Sequence, residues 1–218
     1  MSQTMTFGPL EISFDETVLR PRPWTTQQAH WAAEILAGGP EGPVLELCAG
    51  AGQIGLLAIS IARRPLVCVD SSADACGFAR ANGGAAGLAD LVEVREGDLE
   101  LALRADERFA VVIADPPWVR SSEIRRFPED PPPTIDGGRD GLDGARACLG
   151  VAARHLLPGG AIVLQLGDRD QAAALGREVS ALEVCEVRDG ADGVLVLLRR
   201  SDDARVGTDA GCGNWCRS

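Results

Sequence analysis

At 218 residues and 45% hydrophobic content, the chain is long enough for one well-buried domain with small extensions. Its net charge of −11 disfavours nucleic acid as a main partner, because a duplex or long RNA calls for a basic surface that neutralises phosphates. No window approaches ~18 uninterrupted apolar residues and Met1–Thr6 lacks a basic-then-apolar leader, so no membrane partner and a cytoplasmic location are expected.

In chain order, Leu10–Phe14 and Thr17–Leu19 are short extended runs separated by Asp15-Glu16, the pattern of a β-hairpin or strand-like arm over residues 1–24. Pro21 and Pro23 end it, and Thr25 or Thr26 caps a helix running through Leu36. From there strands and helices alternate across residues 25–200. Val44–Leu47 reads as a strand, followed by Gly50-Ala51-Gly52 and a helix over Ile54–Ala62. Leu66–Val69 is a strand ending at Asp70, with a helix from Ala73 to Asn82. Leu91–Arg95 and Ala110–Ala114 are strands. A Pro-rich loop covers Arg120 to Gly138, and a helix covers Leu142–Leu156. Pro158-Gly159-Gly160 turns into the strand Ala161–Leu166, and a helix over Gln171–Ala181 precedes the strands Leu182–Val187 and Val194–Leu198. The expected fold is α/β: a Rossmann-like, seven-stranded, mostly parallel sheet with an antiparallel C-terminal edge hairpin and helices on both faces. Residues 201–218 turn small and polar and read as a disordered tail. Seven scattered cysteines, several inside apolar runs, read as small buried hydrophobes, and Cys212-x3-Cys216 is only half of a zinc site, so no metal is expected.

Asp115-Pro116-Pro117-Trp118 carries the most chemical information. It follows the apolar strand Ala110–Ala114, and the two prolines stop that strand, remove two backbone donors and hold Asp115 extended. A carboxylate, free proline carbonyls and an aromatic wall then stand at the C-terminal edge of a sheet, where α/β folds bind ligands. The Gly50, Gly52 and Gly55 spacing nearly satisfies a dinucleotide fingerprint, so the turn alone fits either NAD or another nucleoside. Asp70 is placed to accept two ribose hydroxyls, and Gly97-Asp98-Leu99 offers an acceptor for an adenine amino group. Glu46, Asp70, Asp98 and Asp115, read as acids at four successive strand ends, make a pocket that repels a pyrophosphate and favours a cation. S-adenosylmethionine, with its sulfonium and ammonium, is the cofactor that pattern prefers.

The sequence resembles the class I S-adenosylmethionine-dependent methyltransferases and, within them, the HemK-type family of release-factor glutamine N5-methyltransferases, in the short form without the N-terminal helical domain. The matching stretches are Arg20–Thr25, Glu46–Gly52, Asp70, Gly97-Asp98, Asp115–Trp118 and, most tellingly, Asp136-Gly137-Gly138-Arg139-Asp140-Gly141-Leu142-Asp143. Two departures stand out: Asp-Pro-Pro-Trp replaces the usual Asn-Pro-Pro-Tyr, and Cys48-Ala49 opens the glycine loop. The resemblance implies methyl transfer to a nitrogen, with Asp115, Pro116, Pro117 and Trp118 at the reacting end. It implies Glu46, Cys48, Ala49, Gly50, Gly52, Asp70, Ser71, Asp98, Leu99, Asp115, Arg22 and Thr25 around the cofactor. The acceptor implied is a glutamine-like amide of a protein or peptide. Asp in place of Asn also keeps open an exocyclic amine of nucleic acid or a small molecule, with or without a partner subunit.

Overall fold

The structure is a computed structural model that describes residues 2–206. Its first element is a hairpin of β1 (Gln3–Phe7) and β2 (Leu10–Phe14), paired antiparallel with Phe7 opposite Leu10. The expected arm is present, but its register differs from the reading above: Leu10–Phe14 pairs with the strand before it, not with Thr17–Leu19. Gly8-Pro9 makes the turn, with Gly8 at φ +60°, where a glycine is unstrained. Asp15 closes a local turn instead, its Oδ1 accepting from both the N–H and the hydroxyl of Thr17.

After a single 3-10 turn at Pro23–Thr25 comes α1 (Thr26–Gly38). The main sheet holds β3 (Val44–Leu47), β4 (Leu66–Asp70), β5 (Val92–Glu96), β6 (Phe109–Ala114), β7 (Leu156–Leu166), β8 (Leu182–Asp189) and β9 (Val194–Arg200). Their order is β5-β4-β3-β6-β7-β9-β8, with β3 to β7 parallel and β9 antiparallel to both neighbours. The seven-stranded, mostly parallel sheet with an antiparallel edge hairpin is thus the observed fold. The direction of winding reverses between β3 and β6, which makes the crevice beyond their C-terminal ends the natural ligand site.

The helices α2 (Gln53–Ala62), α3 (Ala73–Ala85), α5 (Asp143–His155) and α6 (Arg169–Glu178) cross between strands, and α4 (Pro132–Ile135) is a short turn of helix inside the Pro-rich loop. Alternation along β6 divides the core: Ile113 packs with the residues of α1 and α2, and Val112 and Ala114 pack with those of α5 and α6. Burial on both faces explains why the central strands read as continuous apolar runs.

Two boundaries differ from expectation. Pro158-Gly159-Gly160 lies inside β7, because Phe109 pairs with Leu156 and Val111 with Ala161, leaving residues 157–160 as a bulge. Ser201–Val206 forms α7, where a disordered tail was expected; its Asp203 carboxylate accepts the Gly159 N–H at 2.9 Å, tying it to that bulge. The rest of the expected tail, with Cys212 and Cys216, lies outside the described residues.

Candidate active site

Strand β6 ends at Ala114, and Asp115 continues its line into the crevice. Asp115, Pro116, Pro117 and Trp118 line a cavity of about 200 Å³ together with Arg22, Thr25, Phe127, Asp130 and Gln165. Asp115 is partly buried, and burial pushes its carboxyl up to about 7, an effect opposed by the charge of Arg22. The corner is moulded by the glycine-rich stretch that follows the Pro-rich loop. A Cβ at Gly137 would strike the Pro117 carbonyl at 2.7 Å, and one at Gly141 would collide with the Trp118 carbonyl. Gln171 completes the mould: its Nε2 donates to the carbonyls of Trp118 and Asp140, each at 3.0 Å, while its Oε1 accepts the Gly167 N–H at 2.8 Å. Gly137 and Gly141 therefore let two backbones touch, Gly138 makes room for the Asp143 carboxylate, and Arg139 among them is exposed and away from the cavity.

The Pro-rich loop roofs the cavity with Phe127, Glu129, Asp130, Thr134 and Ile135. Its base is closed by Val119 N–H to Ile135 O at 2.9 Å and Gly137 N–H to Val119 O at 2.8 Å. Asp130, buried in the roof, forms an ion pair with Arg22, which also sits over the Trp24 ring at 5.5 Å. Arg22 therefore latches the roof to the N-terminal segment. Thr25 is buried beside it, donating its hydroxyl to the Arg22 carbonyl at 2.8 Å. Both residues, expected around the cofactor, line this cavity.

Next to this cavity lies the glycine loop. Cys48 has φ +55° and Gly50 φ +54°, with open space above Gly50 where a Cβ would stand. Asp70 holds the loop: its Oδ2 accepts the Gly50 N–H at 2.8 Å and its Oδ1 the Ser72 N–H at 2.9 Å. Each carboxylate oxygen keeps a second lone pair. Ser71 is exposed beside it, and Ala49 is buried beneath the loop with its N–H bonded to Val69 O at 3.2 Å. Cys48 places its thiol 3.7 Å from that of Cys148 on α5, filling the gap between loop and helix. Asp98 is exposed, its Oδ1 accepting the Glu100 N–H at 2.8 Å, and Leu99 is half-buried against the core.

Glu46 departs from the acid series. It lies within β3, not at its end, and only 2% of it is exposed. Its carboxylate accepts the Gly55 N–H at 2.9 Å and the Cys68 thiol at 3.3 Å, and burial pushes it up to about 7. A Cβ at 55 would collide with that carboxylate, so the third glycine of the loop makes room for Glu46. Position 46 points from the sheet towards α2; the acids that reach the crevice edge are Asp70, Asp98 and Asp115.

Residues 13–128 match the family model described as Conserved hypothetical protein 95. Over 207 residues the chain is 30% identical to a release factor glutamine methyltransferase of Clostridium acetobutylicum, covering 92% of this chain and 69% of that protein. The chain belongs to the HemK-type family of S-adenosylmethionine-dependent methyltransferases. A ribosomal protein uL3 glutamine methyltransferase of Burkholderia pseudomallei is 30% identical over 202 residues, covering 86% of this chain and 65% of that protein. The chain thus spans about two thirds of the length of these curated relatives. The solved ribosomal protein L11 methylase of Lactobacillus delbrueckii subsp. bulgaricus shares the fold, with a TM-score of 0.62 at 15% identity, covering 85% of this chain and 83% of that one.

The donor set of this methyltransferase fits its cofactor. Asp70 has two unused lone pairs that would accept two ribose hydroxyls, the open face of Gly50 would admit a ligand to the backbone, and Asp115 at the crevice edge would face a cationic sulfonium. Three supporting amides were not legible as site residues. Gln28, fully buried on α1, donates to the carbonyls of Ala114 at 2.9 Å and Val163 at 3.0 Å, fixing the strand ends beneath Asp115. Asn82 on α3 joins three elements: its Oδ1 accepts the Ser13 N–H at 2.8 Å, and its Nδ2 donates to Ser13 O at 3.0 Å and Ala51 O at 2.9 Å. The third is Gln165 on β7, in the cavity itself. Of the three, only Gln165 carries a signal in the sequence, a lone amide inside the apolar run Ile162–Leu166.

Proposed function

We propose that this methyltransferase transfers a methyl group to the side-chain amide nitrogen of a glutamine in a protein of the translation machinery, a release factor or ribosomal protein uL3. The observation that carries the reading is Asp115 held by two prolines in a partly enclosed cavity beside the Asp70-anchored loop. The cofactor, when bound, supplies an electrophilic methyl on sulfur. The protein's own residues do the rest. An amide nitrogen is a weak nucleophile because its lone pair is delocalised. Asp115 accepts one N–H of the acceptor amide, with the Pro116 carbonyl beside it, and turns the lone pair towards the methyl. The nitrogen must shed one proton after transfer, and a carboxyl pushed up to about 7 is matched to receive it near neutral pH. Trp118 gives the planar amide a wall, and the Pro-rich roof excludes water once Arg22 and Asp130 are paired.

The test is incubation of the enzyme with methyl-labelled S-adenosylmethionine and, separately, purified release factor, purified uL3 and total nucleic acid, followed by fragmentation mass spectrometry. The reading expects one methyl on a glutamine side chain. Label confined to nucleic acid, or to a protein amine or hydroxyl, would overturn it.

A further inference from the structure

Gly167 stands between the end of β7 and the start of α6, against the ring of Trp118. A Cβ at 167 would lie 2.5 Å from Cε3 and 3.0 Å from Cζ3 of that indole. Carbon atoms in contact prefer to stay about 3.5–4.0 Å apart, so the ring would have to shift by roughly 1 Å. The backbone does not call for glycine here, because Gly167 lies outside the left-handed region that favours it. What a side chain would meet is the indole, with Gln171 Oε1 at 3.0 Å. Gln171 ties this seat to the corner: its Oε1 accepts the Gly167 N–H at 2.8 Å, and its Nε2 donates to the Trp118 carbonyl at 3.0 Å. Trp118 lines two cavities, the one beside Asp115 and a second of about 260 Å³ bordered by Gly167, Arg120 and Gln171. With open space beside it, the indole keeps its place through this seat.

We propose that Gly167 is a positioning residue for Trp118: by carrying no side chain it seats the edge of the indole, and so sets the shape of the cavity in which the acceptor is held. The inference rests on the function proposed above in giving Trp118 the acceptor side. Cε3 and Cζ3 lie on the lateral edge of the indole, beyond the outline of a phenol ring. Trp118→Tyr therefore removes the atoms that a methyl group at 167 would strike. Gly167 and Trp118 are one steric pair, and a loss caused at the first is relieved at the second.

A double-mutant cycle tests this. The kcat/KM of wild type, Gly167→Ala, Trp118→Tyr and the double variant is measured with whichever molecule takes the label in the preceding experiment. A non-glutamine acceptor thus overturns the function proposed above and leaves this test in place. Gly167→Ala is expected to cost at least ~10-fold in the wild-type background, since a misplacement of ~1 Å costs up to about 10²-fold. In the Trp118→Tyr background the same change should cost less than about twofold. Gly167→Ala should bind S-adenosylhomocysteine as wild type does, within about threefold, by calorimetry. Independently of any acceptor, enzyme labelled with fluorotryptophan should show the Trp118 fluorine resonance, identified by its loss in Trp118→Tyr, displaced in Gly167→Ala while that of Trp31 on α1 stays. An equal cost of Gly167→Ala in both backgrounds means that the methyl acts through Gln171 and overturns the inference. So do wild-type activity in Gly167→Ala, a larger loss of S-adenosylhomocysteine affinity, or an unmoved Trp118 resonance.

Discussion

Replacing Asp70 by alanine should weaken S-adenosylhomocysteine binding by about 2–4 kcal/mol. Charge-assisted hydrogen bonds to two ribose hydroxyls are worth about 1.5–3 kcal/mol each, and water partly replaces them at a half-exposed carboxylate. The corresponding loss of affinity is ~30- to 1000-fold. The free protein also loses the acceptor for the Gly50 and Ser72 N–H groups, at about 1 kcal/mol each, which lowers its melting temperature by roughly 4–8 °C. Titration calorimetry at 25 °C with wild type and Asp70→Ala reads the first quantity, and calorimetric melting of the ligand-free proteins reads the second. If affinity stays within threefold while the melt shifts, Asp70 is a structural anchor of the loop and does not hold the ribose.

Four further outcomes follow from particular contacts. Because burial raises both Glu46 and Asp115 to about 7, the folded protein binds more protons than the unfolded chain between roughly pH 4 and 7. Their contribution to stability is therefore complete at acid pH and lost as pH rises through about 7, so the ligand-free melting temperature should fall between pH 5 and 8. The same titration should make kcat/KM rise through pH ~7 in wild type and lose that inflection in Asp115→Asn, as pH-rate profiles will show. Asn82→Ala frees the Ser13 and Ala51 backbone groups and should cost about 1–3 kcal/mol in urea unfolding, while also loosening hydrogen-exchange protection of both the β1–β2 hairpin and the glycine loop. Arg22→Ala breaks the latch to Asp130 and should speed exchange in residues 120–138 without changing exchange in the main sheet.

The fold was legible because the central strands are buried on both faces. Continuous runs such as Ala110–Ala114, punctuated by glycine, proline and acids, announce a parallel sheet without any tertiary knowledge. The hairpin register was not legible in the same way: Gly8-Pro9 and Asp15-Glu16 are both plausible turns, and only packing of Phe7, Ile12 and Phe14 against the body decides between them. The Asp115 corner was visible because two prolines impose a backbone geometry that sequence alone states. Glu46 misled for the opposite reason. The strand Val44–Leu47 is the one expected, but Glu46 lies within it and faces α2, and whether a carboxylate faces a ligand or a backbone N–H is a matter of tertiary contact. Gln28, Asn82 and Gln165 escaped because an amide takes meaning only from the carbonyls folded around it.

The most direct test of the account is the split between turnover and cofactor binding in Asp115→Ala. In the function proposed above Asp115 acts on the acceptor nitrogen, not on the cofactor's ribose or adenine, so its loss should lower turnover by about 10²-fold or more, the scale of removing a preorganised electrostatic partner. S-adenosylhomocysteine affinity should change far less. Turnover in Asp115→Ala equal to wild type, measured at saturating cofactor and acceptor, would contradict the assignment of the chemistry to this corner.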